Sequence, residues 1–301
     1  MFDRIMEGAM SYGLLWSNRN YRLLLSGSAV TNLGGGVAAV AMPWLATLLT
    51  RDPLMISAVA MARFLPWFLF ALPAGVLTDR ADRRLLIIRA DCVRLALALC
   101  LVAMTLSLPT AMASGPDRSG LVIMLTAITF LLGTAAVVRG NAAQTLLPSI
   151  VGRNDLERAN GQIWSAEQVI GGFVGPPLAG ALIAAGIVVP FGFTAATLAL
   201  TIGLIWFITL PARTPGAHKR FWPALREGFG WMRQNPAILR LAVMLGAINA
   251  VSAGGLTILV LYAQEVLDLR ATGYSTLINK SCRGRLPIHG GFWHGARSVR
   301  F

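Results

Sequence analysis

Four ionisable residues lie deep within apolar stretches of the sequence, where a charged side chain is costly and usually functional. They are Arg63, Asp91, Arg94 and Glu167, and their charges sum to zero. Asp91 and Arg94 are three residues apart, which places them on one face of a helix. Two interpretations stay open: an acid that titrates in a polar cavity and couples to protons, or a static ion-pair network that holds helices together.

A polar run in the first apolar stretch is a candidate for lining the same cavity. It consists of Asn32 and the glycines at positions 34, 35 and 36. Glycines also let helices approach each other closely, so a packing role is the alternative.

The stretches that carry these residues are long enough to cross a bilayer. A helix needs about 20 mostly apolar residues to span a core roughly 30 Å thick, and helices satisfy their own backbone groups there. Seven stretches qualify, at residues 23–49, 54–77, 85–108, 121–138, 161–183, 189–210 and 238–262. The predicted fold class is therefore an all-α integral membrane protein.

The composition of the 301-residue chain agrees with that fold class. Hydrophobic residues make up 55% and charged residues 13%, against about 25% charged in a soluble domain. These values exclude a soluble globular domain, a disordered chain and a collagen-like fibre. The three cysteines, Cys92, Cys100 and Cys282, make no disulfide framework, and we expect the first two to be small buried side chains.

The basic residues are distributed asymmetrically between the connecting segments. Fourteen lie on the side of the N-terminus, with Arg139 counted after the fourth stretch, and only Arg51 and Arg118 lie on the other side. The positive-inside rule therefore predicts a cytoplasmic N-terminus. The net charge of +13 then reflects membrane topology, and we expect no nucleic acid partner.

The loop between the second and third stretches reads Gly75-Val76-Leu77-Thr78-Asp79-Arg80-Ala81-Asp82-Arg83-Arg84. It resembles the G-x-L-x-D-R-x-x-R-R signature of major facilitator superfamily transporters, with Asp82 where a second glycine is usual. The resemblance implies that five residues form a cytoplasmic latch between two halves of the protein: Gly75, Asp79, Arg80, Arg83 and Arg84. The alternative is that the arginines only anchor the topology.

The fifth stretch contains a second motif, formed by Gly171, Gly175, Pro176 and Gly180. It resembles the G-x-x-x-G-P-x-x-G pattern that the superfamily associates with antiporters. The runs at residues 146–151 and 156–160 resemble the macrolide-efflux and enterobactin-exporter branch. The basic motif that many members carry within the fourth helix is not found within this stretch, because Arg139 follows its end.

The resemblance implies two six-helix bundles with the substrate between them, and it divides the chain into four parts. Residues 1–211 are predicted to form the N-terminal bundle, 212–236 a cytoplasmic amphipathic loop, 237–274 the first helix of an incomplete second bundle, and 275–301 an aberrant basic tail. We expect truncation or a frameshift near residue 274; the alternative is a genuine seven-helix protein. The central loop is predicted to hold an interfacial helix rather than a solvated linker.

The function that the resemblance implies is secondary active transport: proton-coupled efflux of small amphipathic molecules, of the drug or siderophore class, by alternating access. The expected partners are the lipid bilayer, a small-molecule substrate and protons, and the expected location is the cell (inner) membrane. We expect the 301-residue chain itself to be inactive. The alternative is a non-transporting polytopic membrane protein or a non-functional fragment.

No catalytic constellation is found in the sequence, so an enzyme is not expected. Cys282, His289 and His294 are too irregularly spaced to suggest a metal site. We therefore expect neither a metal nor a cofactor.

Overall fold

The computed structural model describes residues 18–107, 119–209, 221–248 and 251. Within these residues the fold is built from helices. They are α1 (Arg19–Leu49), α2 (Pro53–Arg80), α3 (Arg83–Leu106), α4 (Ser119–Ile150), α5 (Leu156–Ala166), α6 (Gly175–Ala185), α7 (Val189–Trp206), α8 (Phe221–Gln234) and α9 (Pro236–Ile248), with a π-helical segment, Glu167–Val174, between α5 and α6.

Five helices of the described part are long and apolar enough to cross a membrane, which confirms the predicted class. The third predicted stretch is α3, a 24-residue helix that also carries Arg89, Asp91 and Arg94. The seventh predicted stretch begins as α9, and its remainder lies outside the described residues, as does the predicted tail. Helix α8 occupies the second half of the predicted amphipathic loop.

Polar side chains cap the beginnings of the first three helices. Asn18, Asp52 and Asp82 each accept a hydrogen bond from a backbone N–H of the first turn. Only residues 81 and 82 separate α2 from α3. Asp82 has φ −62°, a conformation that needs no glycine, so the turn remains tight without the second glycine of the signature.

Helix α1 lies in the middle of the bundle, against α7, α6 and the π-helical segment. Threonines of α7 face glycines of α1: Thr194 donates to the carbonyl oxygen of Gly34 at 3.3 Å, and Thr201 donates to that of Gly27 at 3.4 Å. Helix α4 packs along α2 and α3 on the other side. Small residues thus allow α1 and α7 to pack closely enough for side chains to reach the neighbouring backbone.

Two apolar clusters fill the two ends of the bundle. One contains Leu45, Leu101 and Phe191, and the other contains Tyr21, Ile87 and Leu146. Along α3 and α4 the ionisable residues Asp91, Arg94 and Arg139 lie between these clusters, and along α1 the polar residues Thr31 and Asn32 do. The polar cluster therefore occupies an intermediate depth in the bundle.

The outer surface of the bundle is apolar. Leu54 and Met61, for example, are 81% and 66% exposed, as expected for side chains that lipid covers. Cys92 and Cys100 lie on this surface too, so the prediction that they are buried was wrong. In a membrane an apolar side chain is stable both in the protein interior and on the surface that faces lipid. Hydrophobicity alone therefore cannot tell which of the two locations a residue occupies.

Candidate functional site

Five elements bring polar side chains together in the interior of the bundle. The side chains are Thr31 and Asn32 from α1, Arg63 from α2, Asp91 and Arg94 from α3, Arg139 from α4, and Glu167 from the π-helical segment. We call this set the central polar cluster. All four ionisable residues singled out in the sequence belong to it, and so does Asn32.

Asp91 is the centre of the cluster, and it is fully buried. One carboxylate oxygen, Oδ1, accepts from Arg94 Nη1 at 2.8 Å, and the other, Oδ2, accepts from Arg139 Nε at 3.3 Å. Arg94 Nη1 also donates to Thr31 Oγ1 at 3.0 Å. Because a buried charge is tolerated only when it is paired and hydrogen-bonded, Asp91 ties α3 to α4 and Arg94 ties α3 to α1.

Arg139 is the member of the cluster that sequence analysis missed. We placed it just after the fourth stretch, but α4 continues to Ile150 and Arg139 is only 5% exposed. The apolar run was ended at its first charge, whereas the helix continues through residues 140–150. A basic residue within the fourth helix is therefore present, and thirteen basic residues remain on the N-terminal side.

Arg63 and Glu167 lie at the edge of the Asp91 network. Arg63 Nη2 donates to the carbonyl oxygen of Gly35 at 3.5 Å, the limit of a hydrogen bond, and its charge is close enough to Arg94 for repulsion. The Glu167 carboxylate lies close enough to the side chains of Asn32 and Arg139 to interact with both. With Arg139 included, three cations face two acids, so the cluster is not neutral as the sequence suggested.

The π-helical segment that carries Glu167 has a chemical cause. Pro176 and Pro177, directly after it, have no backbone N–H and cannot continue the α-helical hydrogen-bond ladder. The N–H of Gly175 instead bonds the carbonyl of Ile170, five residues back. The segment therefore turns more widely than an α-helix, and Glu167 is its first residue.

Three glycines hold this segment against α1. A Cβ built on Gly175 would lie 2.8 Å from the Cα of Gly36, and one built on Gly36 would collide with the carbonyl oxygen of Gly171. Gly180 and Pro176 are buried as well. The antiporter-like motif thus forms a backbone-to-backbone contact next to Asn32 and Glu167. Gly34 and Gly36 lie in close contact with neighbouring helices. No described atom lies within 4 Å of a Cβ built on Gly35, and its carbonyl oxygen accepts a hydrogen bond from Arg63.

The arginine-rich motif lies where α2 ends and α3 begins. Arg83 Nη1 donates to the carbonyl of Thr145 at 2.6 Å and to Ser149 Oγ at 3.1 Å. Arg84 donates to the carbonyls of Ile205 and Trp206 and lies over the Trp206 ring. Both arginines therefore fasten α3 to the ends of α4 and α7.

The latch role of all five motif residues remains a prediction, and for three of them the described part of the structure shows no side-chain contacts. Asp79 and Arg80 are the last residues of α2, but their side chains lie outside the described part of the structure. A Cβ on Gly75 would meet no described atom within 4 Å, so its close helix contact is also still a prediction.

Comparison with known proteins bears on this arrangement directly. Residues 15–290 match a family of the major facilitator superfamily described as transmembrane secretion effector. The chain belongs to this family. It is thus a member of a family of major facilitator transporters and a multi-pass membrane protein, in which the central polar cluster lies between membrane-length helices.

Curated relatives cover most of the chain. It is 26% identical over 249 residues to the enterobactin exporter of Shigella boydii, which is 81% of this chain and 56% of the relative, and the same holds for the enterobactin exporter of Citrobacter koseri. It is 24% identical over 235 residues to macrolide efflux protein A of Streptococcus pyogenes, which is 76% of this chain and 55% of the relative. The chain spans about half the length of the curated relatives it matches.

Proposed function

We propose that the full-length protein, with two six-helix bundles, exports small amphipathic molecules by proton-coupled alternating access, and that the 301 residues of this chain do not transport by themselves. The observation that carries this proposal is the position of Glu167: an acid inside the membrane-embedded bundle, on a π-helical segment, beside the antiporter-like glycine contact. Its relatives are named as exporters of enterobactin and of macrolides, and both names support an amphipathic substrate.

Glu167 is a better candidate for carrying the proton than Asp91. Asp91 is fully buried and pairs with the guanidinium groups of Arg94 and Arg139. Its negative charge is therefore needed to balance these two buried cations. Glu167 is partly exposed, and among the described residues it has no cationic group within 4.0 Å. An intramembrane acid that is not locked into an ion pair can take up and release a proton. Asp91 is then the static part of the cluster and Glu167 the titrating part.

In this proposal the N-terminal bundle is one of the two halves of the transporter. Two bundles rock against each other around a central site, and the latch motif joins them in one state of the cycle. The proposed latch consists of Gly75, Asp79, Arg80, Arg83 and Arg84. Two of these, Arg83 and Arg84, also fix the beginning of α3 to α4 and α7. The four-part division of the chain, with α8 lying at the membrane interface, belongs to the same proposal.

The proposed location is the cell (inner) membrane, with the N-terminus in the cytoplasm. The support is the excess of basic residues at one end of the bundle, where Arg83, Arg84 and Arg153 lie. Arg51 lies at the other end, between α1 and α2. No nucleic acid partner is proposed, because the basic residues follow the topology.

Everted membrane vesicles test the function, prepared from cells that express the complete gene product, by which we mean the transporter with both six-helix bundles. Enterobactin and a macrolide are supplied outside, and uptake is followed with an imposed pH gradient, acid inside. Export coupled to protons predicts uptake of at least one of them that stops when nigericin collapses the gradient. Uptake no higher than in vesicles without the protein contradicts the proposal, and so does uptake that nigericin does not affect.

A further inference from the structure

The central polar cluster contains more positive than negative charge. Three guanidinium groups, of Arg63, Arg94 and Arg139, face the carboxylates of Asp91 and Glu167. A single acid, Asp91, serves both Arg94 and Arg139. A membrane interior stabilises ions poorly, so an uncompensated cation there is costly unless an anion joins it.

Arg63 is the guanidinium without an acid. Within the described residues no carboxylate lies within 4.0 Å of it, and its hydrogen bond to the Gly35 carbonyl has the limiting length of 3.5 Å. The neighbouring charge of Arg94 repels it. A guanidinium has five N–H donors, so most of the hydrogen-bonding capacity of Arg63 is open to a ligand.

Arg139 adds a second unsatisfied donor. Its Nη2 is buried and has no hydrogen-bond partner among the described residues, although its Nε donates to Asp91. A buried donor without a partner loses its hydrogen bonds to water and gains none in return. Such a group in a native interior indicates a ligand or an ordered water that completes the site.

We propose that Arg63 forms a subsite for an anionic group of the transported molecule, a carboxylate or a similar oxyanion, at the edge of a cluster in which Arg139 also has a buried N–H without a partner among the described residues. This inference rests on the proposed export function, because it names the chemical class of the substrate. Guanidinium groups bind planar oxyanions through two parallel hydrogen bonds, which favours an oxyanion over a spherical halide. Arg63 has only its long hydrogen bond to the Gly35 carbonyl, and Asp91 pairs with Arg94 and Arg139 without neutralising all three cations.

Two probes of the same shape test the subsite without any gradient. The complete gene product, purified in detergent, is titrated with 2-naphthoate, which is an anion, and with 2-naphthamide, which is neutral, by naphthalene fluorescence. Because a charge-assisted pair contributes about 1.5–3 kcal/mol, the carboxylate should bind about tenfold more tightly or better. Equal affinity for the two probes, or no binding of either, contradicts the proposal.

Substitutions then assign the preference to Arg63. R63Q should lose the preference while its affinity for the amide stays unchanged, which also shows that the variant is folded, and R63K should keep part of it. R89Q is the matched control, because Arg89 is an exposed arginine of α3 outside the cluster. A preference that survives in R63Q, or one that R89Q also removes, contradicts the assignment.

A buffer exchange separates a substrate group from an inorganic ion. The titrations are repeated with potassium isethionate in place of potassium chloride, at equal ionic strength. A preference present in both buffers supports a site for an organic anion, and one that chloride abolishes overturns it in favour of a chloride site. Because these are equilibrium measurements, a failure of gradient-driven export with an intact carboxylate preference would contradict the proposed function alone.

Discussion

The backbone of Gly175 lies directly against that of Gly36, so close that a methyl group on Gly175 would come within 2.8 Å of the Gly36 Cα. This contact joins the π-helical segment and α6 to α1 beside the central polar cluster. It places Glu167 next to Asn32. The glycine motif and the intramembrane acid are therefore parts of one arrangement.

Replacing Gly175 with alanine should destabilise the protein. The added methyl overlaps backbone, which cannot move aside as a side chain can, and overpacking typically costs about 1–3 kcal/mol. G35A is the matched control, since a Cβ on Gly35 meets nothing within 4 Å. Thermal unfolding in detergent measures both variants. A melting temperature of G175A equal to that of G35A would show that the helices are not in close contact.

Replacing Asp91 with asparagine should cost more than any surface change. It leaves Arg94 and Arg139 buried without their shared acid, and breaking a buried pair typically costs about 3–5 kcal/mol. Adding R139Q to D91N removes one of the stranded charges and should restore part of the stability. D52N serves as control, because Asp52 is an exposed cap that asparagine replaces well. A double variant no more stable than D91N would mean that the ion pair is not a coupled unit.

Replacing Asp79 with asparagine should impair transport while leaving membrane insertion intact, because the proposed latch needs the carboxylate charge. D82N removes a charge from the same loop and retains the helix cap, since asparagine caps as well as aspartate. Transport is compared in vesicles at equal protein amounts. Full transport by D79N, with D82N also unchanged, argues against the latch.

Single cysteines should report opposite orientations for the two ends of the bundle. In a variant without Cys92, Cys100 and Cys282, R153C should react with a membrane-impermeant maleimide only from the cytoplasm and R51C only from outside. Both positions are exposed in the bundle, so access depends on the membrane alone. The reverse pattern of labelling would invert the proposed topology.

Sequence length and hydropathy predicted the helices well. The first three stretches agree with α1, α2 and α3 to within a few residues, because charged or polar residues mark their ends. The fourth prediction stopped twelve residues early, at residue 138 rather than Ile150, because Arg139 was treated as a loop charge. Hydropathy cannot predict that Arg139 is buried, because its burial depends on the ion pair with Asp91 on α3.

The site was predicted in part. The spacing of Asp91 and Arg94 correctly indicated a shared helix face, and the 2.8 Å ion pair confirms it. The fifth stretch was predicted as a single helix that carries the glycine and proline motif, and periodicity could not reveal that eight of its residues adopt a π-helix. The meeting of Arg63, Arg139 and Glu167 depends on how five elements pack, and no pattern along the chain records that.

Transport by E167Q tests the central claim most directly. In the complete gene product this variant should lose uptake driven by a pH gradient but keep gradient-free exchange of labelled for unlabelled substrate, because the site is intact and only the proton carrier is gone. E157Q, which neutralises an exposed acid of α5, should keep both activities. Uptake by E167Q that still depends fully on the pH gradient would contradict the account and leave Glu167 as a static member of the cluster.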